Sequence, residues 1–179
     1  MMLEKFGMEL LMDSERDPEK AVVILMCGIA GSGKTTFSQK IEEEYGYIRL
    51  SIDEEVWSVN GRYGIDYPVE KYRDYLNEAH QRLHNKIVQF ILDKRHVVVD
   101  SSFWSRSERN EYKRIIENAG GEWKLIYLKV RPEELRKRLK IRSQRFDANA
   151  AFTITEELLT TFLNGFEEPS GEGEIVIEN

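Results

Sequence analysis

Residues 28–35 read Gly-Ile-Ala-Gly-Ser-Gly-Lys-Thr, a complete G-x-x-x-x-G-K-[ST] phosphate-binding loop. Such a loop needs a strand before it and a helix after it. The glycines at 28, 31 and 33 let the backbone take conformations that a Cβ would forbid. Successive N–H groups then turn inward as an anion cradle, and the following helix points the positive end of its dipole at the same phosphates. The side chain of Lys34 can reach β- and γ-phosphate oxygens, and the Thr35 hydroxyl can ligate Mg²⁺. The flanks agree with this requirement. Ala21-Val-Val-Ile-Leu-Met-Cys27 is a short apolar run of the kind buried on both faces of a sheet. Phe37, Ile41 and Tyr45 recur at helical spacing after the loop, and Gly46 is placed to cap the helix.

The alternation of strand and helix continues to the end of the chain. Tyr47–Ile52 is a second strand candidate, with Asp53 at its end. Residues 54–69, punctuated by Gly61, Gly64 and Pro68, are expected to be irregular. A long helix is expected from about Val69 to Asp93, with Tyr72, Leu76, Ala79, Leu83, Ile87 and Ile91 on its apolar face. His96–Val99 is a third strand that ends in Asp100. Ser105 and Glu108 have capping-box spacing before a helix stopped by Gly120-Gly121. A fourth strand follows over 124–130. Pro132 suits the first turn of the next helix. Thr153 and Glu156 again have capping-box spacing, and 173–178 is a fifth strand. Five strands separated by helices imply an α/β fold of three layers (α/β/α), with a mostly parallel sheet and ligands at the carboxyl ends of its strands.

At 179 residues the chain has room for one such domain, expected over 21–179 after a leader segment at 1–20. The net charge of −6 provides no global field for nucleic acid. Cys27 is the one cysteine, which excludes an internal disulfide framework and fits a core position in the first strand. No apolar run is long enough to span a bilayer, so a cytoplasmic protein is expected.

Several charged residues fall near the expected strand ends. Asp100 closes an apolar strand, as a carboxylate that holds Mg²⁺ does; many strands also end in Asp as a turn residue. Asp53 can accept the proton of an attacking hydroxyl or hold a metal-bound water; it can equally cap a helix. Residues 131–145 are rich in arginine, and Arg138 and Arg142 share a helical face. Arg142 and Arg145 precede Gln144-Arg-Phe-Asp-Ala-Asn149, which has the polar character of a lid that excludes water. Planar guanidinium donors suit a phosphoryl group in transfer, and a solvated basic helix is the plainer alternative. For Arg106 and Arg109 two roles stand side by side: binding an anionic substrate, or bridging to acids such as Glu108. The aromatic stretch from Trp57 to Tyr67 is either a substrate-facing loop or an ordinary connection. His80 and His84 have a zinc-compatible spacing but no evident third ligand.

Together these motifs resemble the P-loop kinases. The chain is similar to the AAA_33 group, which stands near the zeta-toxin kinases, the polynucleotide kinases and chloramphenicol phosphotransferase. The likeness covers roughly 21–178. It rests on Gly28–Thr36, Leu50-Ser-Ile-Asp53, Val97–Arg106 with Arg109, Leu135–Arg142 and Phe166-Glu-Glu-Pro169. It implies an ATP- and Mg²⁺-dependent kinase with an arginine-rich lid. ATP would meet Gly28, Ala30, Gly31, Ser32, Gly33, Lys34, Thr35, Thr36 and Arg138. The metal would meet Thr35 and Asp100. Lys34, Asp53, Arg142 and Arg145 would carry the transfer, with Asp53 as base. Asp53, Arg106 and Arg109 would face the acceptor, and residues near Pro169–Gly173 would bracket the adenine. In polynucleotide kinases an arginine follows the catalytic aspartate by three residues, and here that position is Val56. A small-molecule hydroxyl acceptor is therefore the leading expectation. A polynucleotide 5′-hydroxyl, or a nucleotide-driven ATPase or switch with a protein partner, is the alternative. No Asn-Lys-x-Asp motif supports a guanine-specific switch, since Asn85-Lys-Ile-Val88 lacks the aspartate.

Overall fold

The computed structural model describes residues 19–178. The expected leader at 1–20 lies outside them except for Glu19 and Lys20. The chain runs β1 (Val22–Cys27), α1 (Lys34–Tyr45), β2 (Ile48–Ser51), α2 (Ile52–Asn60), α3 (Tyr72–Leu92), β3 (Val97–Asp100), α4 (Arg106–Asn118), β4 (Glu122–Lys129), α5 (Pro132–Arg142), α6 (Glu156–Gly165) and β5 (Glu174–Glu178). Short 3₁₀ turns at Val69–Lys71 and Ala148–Ala150 complete it. The five strands form one sheet in the order β2-β3-β1-β4-β5, and every pairing is parallel.

Strand β1 shows why the sheet needs two covering layers. All six of its residues are buried, and they alternate between two cores. Val23, Leu25 and Cys27 join one core with Ile52 and Val56 of α2, Leu83 and Ile87 of α3, and Tyr112 and Ile116 of α4. Val22, Ile24 and Met26 face the other, filled by Phe37 and Ile41 of α1. A period of two through a fully apolar strand thus gives each face its own helices. A third cluster packs Leu135 and Leu139 of α5 and Leu159 of α6 against Ile29 and Ala30, so these two helices rest on the phosphate loop. Cys27 is buried as expected, and burial pushes its thiol up to about 12, where it is inert.

Two expectations change. Residues 54–69 are not all irregular, because α2 occupies Ile52–Asn60. Ser51 is its cap, accepting from the Glu54 N–H at 3.3 Å. Asp53 therefore sits in the first turn of a helix and does not cap it. The cap of α6 is Thr155, which accepts from the Leu158 N–H, and not Thr153. The register finally sets up the site. Asp100 lies level with Met26 on one side and Ser51 on the other. The ends of β2, β3 and β1 thus deliver Asp53, Asp100 and the phosphate loop to one edge.

Candidate active site

The phosphate loop takes the conformations its glycines permit. Gly28 has φ +148°, and a Cβ there would stand 2.9 Å from the Leu128 carbonyl oxygen. Gly33, at φ +100°, starts α1 from the left-handed region with no side chain over the helix end. The Lys34 ammonium donates to the Gly28 and Ile29 carbonyls at 2.8 and 3.1 Å, so it folds back across the cradle. Burial pulls its pKa below the ordinary lysine value, with Asp100 and Asp53 opposing that pull.

A cavity of about 310 Å³ opens beside this loop. Thr35, Thr36 and Gln39 line it from α1, and Asp53 and Asp100 from the strand ends. Arg138, Arg142 and Arg145 line it from α5 and the turn after it. The structure therefore brings together the carboxylates, the lysine and the lid arginines singled out in the sequence. Of the loop residues, Ala30, Gly31 and Gly33 also line the cavity, whereas Gly28 and Ser32 lie beneath it.

The two carboxylates differ. Asp100 is 5% exposed and accepts a charge-assisted hydrogen bond from Arg49 at 2.8 Å. Arg49 also grips Glu54 through both terminal nitrogens, at 3.0 and 2.9 Å. No protein group among the described residues hydrogen-bonds the Asp53 carboxylate. Burial, reinforced by the charge of Asp100, pushes its pKa up to about 6. It is a carboxylate with unused acceptor capacity, poised to exchange a proton near neutrality. Thr35 and Asp100 supply two hard oxygen donors on one wall. Such a pair fits Mg²⁺, an ion that takes one or two protein oxygens and fills the rest of its shell with water and phosphate oxygens.

Arg138 donates to Glu134 at 2.9 Å and to the Ser32 carbonyl at 3.3 Å, bridging lid and loop. Arg142 donates through Nε to the Asn149 carbonyl, and the Asn149 amide donates to Glu54. Arg145 is exposed and pairs with Asp147.

A family model described as an AAA domain, AAA_33, matches residues 23–169. The chain belongs to the AAA_33 family. This AAA_33 protein shares its fold with solved P-loop kinases. A candidate kinase from Chloroflexus aurantiacus superposes with a TM-score of 0.70 at 16% identity, covering 88% of this chain and 85% of that one. The APS kinase CysC of Mycobacterium tuberculosis, in complex with AMPPNP and APS, gives 0.63 at 15% identity over 89% and 88%. Kti12 of Chaetomium thermophilum, in complex with ADP-AlF3, gives 0.64 at 18% identity over 87% and 88%. No curated protein matches the sequence.

Of the two roles open to Arg106 and Arg109 in this AAA_33 chain, the structure shows the bridge to an acid: neither lines the phosphate cavity or the two cavities beside it. Arg109 is fully buried and forms a bidentate pair with Glu172, at 2.8 and 2.6 Å. Arg106 turns to the same carboxylate at 3.2 Å and to the Ser170 carbonyl. Lys113 adds a hydrogen bond to the Glu172 carbonyl. These cations fasten the loop before β5, and the acid they bridge to is Glu172. The Glu108 carboxylate instead accepts from the backbone N–H of Trp104. His80 bonds Tyr112 at 2.7 Å, and with His84 it belongs to no metal cluster.

Sequence reasoning missed Arg49, Glu54 and Asn149, which tie Asp100 to the lid. It also missed a second cavity of about 260 Å³ that meets the first at Asp53, Ala30 and Arg142. No helix among the described residues is long and apolar enough to cross a membrane.

Proposed function

We propose that this protein is an ATP-dependent kinase that transfers the γ-phosphoryl group to the hydroxyl of a small molecule. The observation that carries this is the position of Asp53. Its unpaired carboxylate stands where the phosphate cavity meets a second cavity large enough for an acceptor. A hydroxyl entering from the second cavity meets the base on one side and the phosphates on the other.

Asp53 takes the proton from the acceptor hydroxyl as its oxygen forms a bond to the γ-phosphorus. The bond from that phosphorus to the bridging oxygen breaks, and ADP leaves with the electron pair. Lys34 swings from the Gly28 and Ile29 carbonyls to the phosphate oxygens, and its charge follows the phosphoryl group. Arg142 and Arg138 add planar donors from the lid, with Arg145 at its rim. Thr35 and Asp100 would hold Mg²⁺, which when bound neutralises the β- and γ-phosphate oxygens. The loop near Pro169–Gly173, fastened through Glu172, is placed in this proposal beside the adenine.

The test is acceptor-dependent ADP release by the full chain, compared with Lys34→Ala. Because the protein contributes charge and position more than covalent chemistry, losing Lys34 should lower kcat by about 10²–10³ while the folded state persists. A folded Lys34→Ala variant with full transfer activity refutes the proposal. Steady hydrolysis of ATP without any acceptor, indifferent to Asp53, would favour an ATPase or switch with a protein partner.

A further inference from the structure

The acceptor cavity is strongly biased in its chemistry. Trp57, Tyr72, Trp104, Phe152 and Phe162 wall it, and its charged lining is confined to Asp53 and Arg142. Arg142 also lines the phosphate cavity, so its charge is committed to the transferred group. Rings of the wall brace one another edge to face. Trp104 meets Phe162 at 5.3 Å, and Tyr72 meets Phe152 at 5.9 Å. Braced in this way, the rings form a stiff apolar lining suited to a flat apolar guest. At about 260 Å³ the space lies just below the usual range of ligand pockets, which limits a guest to a small body of about one ring.

Past Tyr72 and Trp104 the cavity continues into a groove of about 800 Å³ between α3 and α4. Its charged walls are Arg73 against Glu78, Glu108 and Glu111, besides Asp53. Burial disfavours the charged form of both histidines, lowering His80 to about 4, and it also raises Glu108. The cations nearest in sequence, Arg106 and Arg109, are turned to Glu172. An anionic acceptor would meet more carboxylates than cations along this approach, where Arg73 is the one arginine or lysine in the lining.

We infer that the acceptor is an aromatic alcohol that carries no negative charge of its own. This rests on the kinase proposal above, whose Asp53 gives the cavity its role. It specifies the class of acceptor, separating it from phosphorylated or carboxylated sugars and from polynucleotides.

The experiment measures binding and turnover separately on the full chain with Mg²⁺ and nucleotide. The probes are phenylpropanol, phenylalaninol, phenyllactate, sorbitol and a short DNA with a free terminal hydroxyl. Binding is read by saturation-transfer NMR and calorimetry, and turnover by ADP release. Phenylpropanol and phenylalaninol are expected to bind at millimolar concentration, with saturation at their ring protons. Phenyllactate is expected to bind about tenfold more weakly, and sorbitol and DNA not at all. Trp57→Leu and Phe152→Leu, which spare Asp53, should each weaken the two aromatic probes about tenfold. Binding in this order without ADP release would leave the aromatic specificity standing and count against the kinase proposal. ADP release that depends on sorbitol, phenyllactate or DNA would uphold a kinase and overturn this inference, as would failure of both aromatic probes to bind.

Discussion

Replacing Asp53 by asparagine should make this protein more stable and inactive at once. An aspartate in the unfolded chain titrates near 3.8, whereas in the folded state Asp53 is pushed up to about 6 by burial and by Asp100. Below the lower value both states hold the proton, and the side chain costs nothing. As pH rises through the window between the two values, the unfolded chain has released a proton that the folded chain still holds, so stability falls. Above about 6 the full penalty applies, and a displacement of this size is worth about 3 kcal/mol. Asparagine removes the charge and keeps the shape. Without nucleotide, Asp53→Asn should match the wild type near pH 4 and exceed it by about 2–3 kcal/mol near pH 7. For a chain of 179 residues that corresponds to a Tm higher by roughly 5–10 °C. The assay is thermal unfolding of both proteins across this pH range, with the difference in Tm plotted against pH. A difference that does not change with pH, or an asparagine variant less stable at neutrality, refutes the reasoning. In parallel, kcat should fall by about 10²–10⁴ in the variant, and wild-type turnover should rise with pH through about 6 and then level off.

Two further outcomes follow from packing and charge. Gly28→Ala places a methyl group 2.9 Å from the Leu128 carbonyl oxygen at a φ of +148°, so calorimetry should show ATP binding weakened about 10- to 100-fold. The equivalent change at Gly46, where a Cβ meets nothing within 4 Å, should leave binding intact. Arg109→Met strips Glu172, whose side chain is 4% exposed, of its bidentate partner and should cost about 3–5 kcal/mol in denaturant unfolding. The acceptor KM of the folded protein should not change, whereas a role for Arg109 on the substrate would raise it.

How legible each part was depended on how local its cause is. The phosphate loop is contiguous, and its glycines, lysine and threonine announce themselves together. Asp53 and Asp100 could be placed because parallel strands bring their carboxyl ends to one edge, so a strand-end acid near the loop reaches the same cleft. The helix after β2 carried a signal that went unused: Ser51 and Glu54 have the same capping-box spacing that marked Ser105 and Glu108, but Gly61, Gly64 and Pro68 suggested a loop. For Arg109 the sequence leaves the partner acid open, for a different reason. Its partner Glu172 is 63 residues away, and nothing near Arg109 in the chain indicates that a carboxylate will be folded onto it. The aromatic cavity is legible only in part: Trp57 and Tyr67 belong to the aromatic stretch that the sequence offers as substrate-facing, but Tyr72, Trp104, Phe152 and Phe162 join them from distant segments.

Asn149 shows how the arginine-rich segment and Asp100, the carboxylate proposed to hold Mg²⁺, are joined. Arg49 holds Asp100 at 2.8 Å with one nitrogen, and the same nitrogen reaches Glu54 at 2.9 Å. That Glu54 oxygen, Oε1, also accepts from the Asn149 amide at 2.8 Å, and the Asn149 backbone carbonyl accepts from Arg142. The lid arginine and Asp100 thus lie on one hydrogen-bonded chain, in surroundings where each link polarises the next. Asn149→Ala cuts the chain between Glu54 and the lid. It leaves both Arg49 contacts and the backbone carbonyl under Arg142 in place. The loss of one hydrogen bond to a charged group, worth about 1.5–3 kcal/mol, should therefore fall on lid closure and not on the phosphate cradle. Turnover should drop roughly tenfold while the ATP Kd measured by calorimetry stays within about twofold. If ATP affinity fell and turnover of the bound complex did not, Asn149 would belong to the nucleotide site itself, and the link from Glu54 to the lid would carry no catalytic weight.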